Sequence, residues 1–449
     1  MFSIAQVKKY SIIIGVLGVL LFAVGVYLNT TINNEEFIHE HINNDKEYLI
    51  QKGIPSGHVD FNSAHQGDEK DIKKHIEHSE HQISNKPWAA LLMAFMLFFG
   101  LSAASLFFFS IQHAAQAGWS IVVTRIMEGI ASFLPYAIAL MAIVILANVF
   151  HVAHLYHWMD TSTVDPKSEN YDILLDSKSP FLNLPFWLVR ICIYFSGCLF
   201  FLWKLKSLSK KLDENKDKQS QLNLYNWSVG YIIFFALSSA AWAWDFLMSI
   251  DPHWYSTLYI WYTMVSCLVT GVAFMILFSN LMKANGKLPL FNDNHQHDLT
   301  KFMFGFSMLW TYLWFDQFML IWYPNIPEEV IYFLGRFLYY KPTYFIMLLP
   351  NFLLPLLVLV SSSIKRNSKV VIPMCLVIIF GHVWDFFNIV MPGTVGPFWS
   401  TNFGWLEFGA FFMVFGLFVY VVTHKLSTMN LEPKGNFYFH ESETFEYPH

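Results

Sequence analysis

The chain is poor in charge. Of its 449 residues only 14% are Asp, Glu, Lys or Arg, against about a quarter in an ordinary soluble protein, which excludes most soluble enzymes. The net charge of -5 presents no basic surface to a polyanion, so nucleic acid is excluded as a partner. Cysteine is scarce as well. Cys192, Cys198, Cys267 and Cys375 all lie inside apolar runs, with no CxxC pair and no CxxCH. A disulfide framework, a cysteine zinc site, an iron–sulfur cluster and a c-type haem therefore lack their usual ligands. No P-loop, dinucleotide-binding glycine fingerprint or hydrolase elbow is present either. What the chain has instead is 55% hydrophobic residues, with 45 Phe, 16 Trp and 21 Tyr, a composition suited to a hydrocarbon solvent.

A spanning helix needs about 20 mostly apolar residues, and ten segments qualify: Tyr10–Leu28, Trp88–Ile111, Ile130–His151, Pro185–Lys204, Ser228–Ile250, Thr257–Met282, Lys301–Tyr323, Tyr344–Ser363, Val370–Val390 and Phe403–Thr423. The fold class expected is thus an all-α polytopic membrane protein. The first span follows Lys8 and Lys9 and leaves through Val26-Tyr27-Leu28-Asn29 without a small-residue cleavage pattern, so it reads as an uncleaved anchor over 1–28. Lysine and arginine set the orientation. With the N-terminus cytoplasmic, the inside loops hold Lys204, Lys206, Lys210, Lys211, Lys216 and Lys218, then Lys283, Lys287 and Lys301, then Lys365, Arg366 and Lys369, whereas the outside loops after spans five and nine hold none. Both termini are expected in the cytoplasm. Arg336 and Lys341 run mildly against the trend.

Residues 29–87 form a polar outside region with seven histidines, His39, His41, His58, His65, His75, His78 and His81. The run His75-Ile-Glu-His78-Ser-Glu-His81 has helical i, i+3 spacing that can chelate a metal, but a solvated, partly helical loop is the preferred reading. A second, acidic excursion covers 153–184. Ile326-Pro327-Glu328-Glu329 reads as a helix start, with Pro in the first turn and acids against the dipole. The aromatic segment after it predicts a short helix over 328–340, lying on the outer membrane surface or against a partner.

Ionisable residues inside spans are costly and are functional candidates by default. Asp245 in span five, Asp316 beside Gln317 in span seven, and His382 with Asp385 in span nine all fall toward the outer ends of their helices. Arg190 and Glu407 enter spans four and ten from the same side, and His151 and His154 close span three there. Toward the inner side stand His113, Gln116, Arg125 and Glu128, with Arg125 and Glu128 spaced to pair on one face. Acids, a base and imidazoles on neighbouring helices can hand protons along a hydrogen-bonded chain. For Arg190 a structural ion pair with Asp245 or Glu407 stands equally open. Asp251, just before Pro252, is expected to cap span six, and His154 and His253 are either interfacial or part of the band. The aromatic stretches 242–244 and 254–262 read as an interfacial belt, where a quinone ring would also find stacking partners. A haem b would need histidines at matching depth, and His151 or His154 with His382 is the one outer pair that the spacing allows.

Three segments carry a family resemblance: Gln116-Ala-Gly-Trp-Ser-Ile-Val-Val-Thr-Arg125-Ile-Met-Glu128; Trp242-Ala-Trp-Asp245-Phe-Leu-Met-Ser-Ile-Asp251-Pro-His-Trp254; and His297-Asp-Leu-Thr-Lys301-Phe-Met-Phe-Gly-Phe306 with Asp316-Gln-Phe-Met-Leu-Ile-Trp-Tyr-Pro-Asn-Ile-Pro-Glu-Glu329. They resemble the F subunit of bacterial alternative complex III, from the first span to about Tyr420. That subunit is a distant relative of the quinol-binding membrane subunit of polysulfide-reductase-type enzymes. The resemblance implies a multisubunit quinol:cytochrome c (electron-acceptor) oxidoreductase of the bacterial inner membrane, with haem c and iron–sulfur clusters in partner subunits and none in this chain. The principal quinol site would lie in a companion membrane subunit, and a terminal oxidase is a further partner. The implied fold is two four-helix bundles, 88–250 and 251–390, with the first span and the 391–449 region peripheral. Glu128, Asp245 and Asp316 are the acids that match the family motifs. The rival expectation is a free-standing secondary transporter, for which ten spans and buried carboxylates are ordinary, and for which Pro350 and Pro355 would mark a broken helix.

Overall fold

The computed structural model describes residues 2–32, 69–168 and 170–446, and the histidines at 39, 41, 58 and 65, with the side chain of His75, lie outside the described residues. Every regular element described is helical. The principal helices are α1 (Ile4–Ile32), α2 (Glu69–Ala114), α3 (Thr124–Ala131), α4 (Leu134–Val149), α5 (Leu184–Asn215), α6 (Lys218–Phe246), α7 (Leu258–Ala284), α8 (Asp293–Trp322), α9 (Pro327–Tyr339), α10 (Lys341–Ile346), α11 (Ser368–Thr394) and α12 (Trp405–Thr428). After α10 the chain passes through a π-turn at Leu349–Leu353, between Pro350 and Pro355, into Leu354–Leu359 and Ser362–Arg366.

Nine of these passes are long and apolar enough to cross a membrane, with α3 and α4 counted as one. The seventh expected span is the exception. α8 is 30 residues long and runs from one end of the protein to the other, yet Trp310, Thr311, Tyr312, Trp314, Asp316 and Gln317 dilute its apolarity. The chain is an all-α polytopic membrane protein.

Two ends are defined by contacts between loops. At the lysine-rich end the N-terminus meets the turn after α7 (Ile4 N donates to Asn285 Oδ1, 3.1 Å), Lys287 Nζ reaches Ser427 O at 2.6 Å, and Gly435 N donates to Asp213 Oδ1. At the opposite end Asn85 and His154 exchange two hydrogen bonds, Tyr340 OH donates to Gly396 O, and Lys178 reaches Pro252 O.

α2 is the central element. It packs on α3, α4, α6, α7, α11 and α12, and its apolar stretch is buried almost throughout. It starts well before the expected Trp88 boundary and continues through Pro87. Proline removes the N–H that would reach the carbonyl four residues back, and Asn29 Nδ2 of α1 donates to that carbonyl, Ile83 O, at 2.8 Å. In an apolar setting such a replacement donor is required. α2, α4, α5 and α6 neighbour one another in turn, as do α7, α8, the 349–359 segment and α11.

The last span is not peripheral. Phe98 of α2 packs its ring against Phe133, Phe274, Phe411 and Phe418, so α12 shares the core with α2 and α7. α1 is the outlying helix and rests on α12, antiparallel to it. Their close approach requires glycine: a Cβ at Gly18 would stand 2.2 Å from Met413 N, and one at Gly416 would stand 2.5 Å from Gly15 N.

The helix expected over 328–340 spans Pro327–Tyr339, and it buries Phe333 and Arg336 against its own chain. Arg336 stacks its guanidinium 3.4 Å over the Tyr332 ring, which stacks in turn on Trp254 at 3.8 Å, and faces Asp251 at 3.8 Å. This explains a basic residue in a loop otherwise poor in them. It also corrects the role of Asp251: Thr257 occupies the cap position of α7, and Asp251 serves Arg336.

Gly18→Val is expected to lower the melting temperature of the purified protein by several degrees, the ordinary result of roughly 1–3 kcal/mol of overpacking. Gly15→Ala, whose Cβ would meet nothing closer than 3.8 Å, should leave the melting temperature unchanged in the same thermal scan.

Candidate functional site

The expected outer band resolves into separate clusters. In the first bundle Arg190 of α5 clasps Asp245 of α6: Nη2 lies 2.6 Å from Oδ1, and Nε is 3.1 Å from both carboxylate oxygens. Asp245 is fully buried, while Arg190 keeps 11% of its side chain exposed and lies against the rings of Phe181 and Phe186. Trp187 Nε1 and Ser249 Oγ both donate to Asp245 O. Of the two partners left open for Arg190, the geometry selects Asp245.

Glu407 has a different partner, one that the sequence did not single out. Lys86 of α2, 1% exposed, points its ammonium at Glu407 Oε1 (3.5 Å) and donates to the carbonyls of Trp399 and Thr401. Glu407 Oε2 accepts from Gly404 N at 2.8 Å, which caps α12. The available signal was a lysine immediately before the Pro87-Trp88 boundary of an apolar run.

Toward the lysine-rich end Arg125 and Glu128 pair as their spacing predicts, at 2.8 Å and 2.9 Å. The same guanidinium also binds Ser209 Oγ and Asp213 of α5. His113 is buried against Phe109, and its Nε2 has no hydrogen-bond partner.

The second bundle holds the most enclosed group. Asp385 of α11 is completely buried and accepts hydrogen bonds from two further helices: Tyr262 OH and Ser266 Oγ (2.7 Å) of α7, and Trp310 Nε1 (2.9 Å) of α8. One turn back on α11, His382 places Nδ1 3.6 Å from Asp385 Oδ2. The His382 ring is also completely buried, meets Trp310 edge-on at 5.6 Å, and neither of its nitrogens has a hydrogen-bond partner among the described residues. A buried imidazole without a hydrogen bond is costly. Tyr262 and Ser266 stand one helical turn apart on one face of α7, a pairing the sequence contains but does not distinguish from ordinary back-bonded hydroxyls.

Compared with models of protein families and with curated proteins, the chain matches none.

From Asp385 toward the lysine-rich end, buried polar side chains continue along the same three helices. Thr270 follows Ser266 by one turn, and Ser105 of α2 approaches there, 3.2 Å from where a Cβ on Gly271 would sit. Ser279 and Ser307 carry buried hydroxyls without partners. About 21 Å along the α7 axis from Ser266, Asn280 Nδ2 donates to Gln296 Oε1 (3.1 Å), which also accepts from Ser368 Oγ at 2.6 Å. Buried hydroxyls thus recur at intervals between the two polar zones, those of Thr270 and Ser105 bonded back to their own helices.

Asp316 is not part of this cluster. It is half-buried on α8, and no hydrogen bond or ion pair holds it among the described residues. Its neighbour Gln317 is buried with Nε2 unpaired.

Histidines gather at the opposite end, on the first turns of α2's described part and the loop after α4. The ring of His81 lies 4.4 Å from that of His154, His78 lies 5.4 Å from His157, and His151 is 6.5 Å from His154. No group of three or more His, Cys, Asp or Glu among the described residues is arranged to hold a metal ion. His382 lies in the second bundle beside Trp310 and Asp385, whereas His151 and His154 are exposed at the end of α4. His253 pairs with Asp172 of the acidic excursion.

Burial, then the nearby imidazoles of His253 and His81, holds His157 below its usual 6.5, and partial desolvation of its largely exposed ring, with His81 and His151, does the same to His154. Both therefore favour the neutral form in the fold. The contribution is complete above about pH 6.5 and is lost as pH falls, because the unfolded imidazole takes up a proton more readily. Amide exchange over 150–160, corrected for intrinsic rate, should accelerate between pH 7 and 5. Arg190→Met should destabilise the protein severely by leaving Asp245 buried and unpaired, a loss of about 3–5 kcal/mol. The double variant Arg190→Met/Asp245→Asn should recover a large part of it in thermal unfolding.

Proposed function

We propose that the protein is an integral membrane subunit of a respiratory quinol:cytochrome c (electron-acceptor) oxidoreductase of the alternative complex III kind. It anchors that complex in a bacterial inner membrane with both termini in the cytoplasm, carries no redox cofactor itself, and conducts protons through the α7, α8 and α11 bundle. Haem c, iron–sulfur clusters and the principal quinol site belong to its partners.

The observation that carries the proton route is the completely buried pair of Asp385 and His382. The carboxylate is held by donors from α7 and α8, and the imidazole beside it faces the carboxylate at 3.6 Å with no hydrogen bond to either nitrogen among the described residues. An imidazole so placed accepts a proton at one nitrogen and releases one from the other, and the nearby carboxylate stabilises the cationic intermediate. Beyond it the hydroxyls of Ser266, Thr270, Ser307 and Ser279 line the way to Asn280, Gln296 and Ser368. Arg190, Asp245, Lys86, Glu407, Arg125 and Glu128 are closed ion pairs, and they serve the proposed route by holding the helices in register.

The resemblance carries the redox assignment, and purification in mild detergent tests it. Haem- and iron–sulfur-bearing proteins are expected to accompany the chain. Isolation alone or as a homo-oligomer would favour the transporter reading, which the π-turn between Pro350 and Pro355 supports, since transporter sites are built at broken helices. Asp385→Asn retains volume and hydrogen bonding but does not titrate. In the intact complex it should lower proton release per electron by at least half, measured with a pH-sensitive dye during quinol oxidation. Unchanged stoichiometry together with unchanged turnover would remove the route.

A further inference from the structure

At the lysine-rich end a cleft of about 700 Å³ opens between α3, α5 and the end of α12. Four cations line it, Arg125, Lys206, Lys210 and Lys425, against two carboxylates, Glu128 and Asp213, and Lys210 also pairs with Glu214 one turn on at 3.6 Å. Both carboxylates are taken up by Arg125. Lys206 Nζ donates to Ser132 Oγ at 2.9 Å and has no acidic partner, and Lys425 has none among the described residues. Two ammonium groups sharing a half-buried cleft repel each other unless an anion lies between them.

The wall above them is apolar. Pro135, Leu199, Leu202 and Trp203 line the same cleft, and Trp203 leaves 63% of its side chain exposed. Along α5, Lys206 lies about 33 Å from Leu184 at the helix start, which matches the roughly 30 Å hydrocarbon thickness of a bilayer. The ammonium groups therefore stand at headgroup depth, and Leu199 and Trp203 stand just inside the acyl region. Basic pockets between spanning helices at this depth suit anionic lipid headgroups.

We propose that this cleft binds one anionic phospholipid, its phosphate between Lys206 and Lys425 and an acyl chain along Pro135, Leu199 and Trp203. Lys206 and Lys425, the two lining cations without a carboxylate partner among the described residues, select an anionic lipid over a zwitterionic one. The site rests on the membrane fold and is independent of the redox assignment.

The test uses the purified full chain, or the complex it isolates with, washed free of lipid in detergent and followed by native mass spectrometry. It is titrated separately with phosphatidylglycerol, phosphatidylcholine and inorganic phosphate. One phosphatidylglycerol should be retained at least tenfold more tightly than phosphatidylcholine. Lys206→Gln/Lys425→Gln should abolish that preference, while Lys204→Gln, which alters a lysine lying over Trp227, should preserve it. Equal retention of the two lipids by the unaltered protein would overturn the proposal without reliance on any variant. An undiminished preference in the double variant would overturn it too. Inorganic phosphate that displaces phosphatidylglycerol at equal concentration would show the ligand to be a free anion and would refute the acyl contact.

Discussion

A carboxylate withdrawn from water must take its solvation from the protein, and in this chain the buried acids do so in different ways. Asp245 has a guanidinium folded around it. Glu407 has a lysine and the first N–H of its own helix. Glu128 shares Arg125 with Asp213. Asp385 is held, among the described residues, by a phenol, a hydroxyl and an indole, with an imidazole at 3.6 Å. Each arrangement draws its parts from at least two helices except the short Arg125–Glu128 pair, which itself recruits α5. Docking the helices and solvating the acids are therefore one event.

The same constraint reaches the backbone. Pro87 would leave Ile83 O without a donor in the middle of the most buried helix, and Asn29 supplies one from α1. This joins the outermost helix to the central one at a single amide. Further along, α1 meets α12 through glycines, where the backbones come too close for any side chain. At the opposite end Trp254, Tyr332 and Arg336 form one stack facing Asp251, and it fastens the α9 hairpin over the second bundle.

Much of this was legible in the residues. Long apolar runs announce helices because an apolar medium leaves the backbone no other way to satisfy its hydrogen bonds. Arg125 and Glu128 could be paired from their i, i+3 spacing, and the short helix after Asn325 from its proline and acids. The errors have physical causes. α8 is long enough to span, but its Trp, Tyr and amide side chains keep it less apolar than the nine other passes. The boundary of α2 was set at Trp88 because polar residues precede it, although helical geometry does not require apolar ones. Lys86 was not singled out, because a lysine beside an apolar run has no local mark showing that its ammonium turns inward. Asp316 looked the equal of Asp385 by composition and depth, but the helix rotates it to a half-buried position with no hydrogen bond or ion pair among the described residues.

The sequence by itself determined that this is a multi-pass helical membrane protein, which segments are long and apolar enough to cross, and which ionisable residues lie within them. Those follow from local composition and from the fixed rise of a helix. Only the tertiary structure decided which of those residues meet. Rotation about each helix axis, set by packing against α2 and α7, turns one acid toward an arginine, another toward a lysine and a third toward an imidazole. The low count of charged residues bounds the problem, but partnership depends on the mutual orientation of helices far apart in the chain, and no local pattern encodes it.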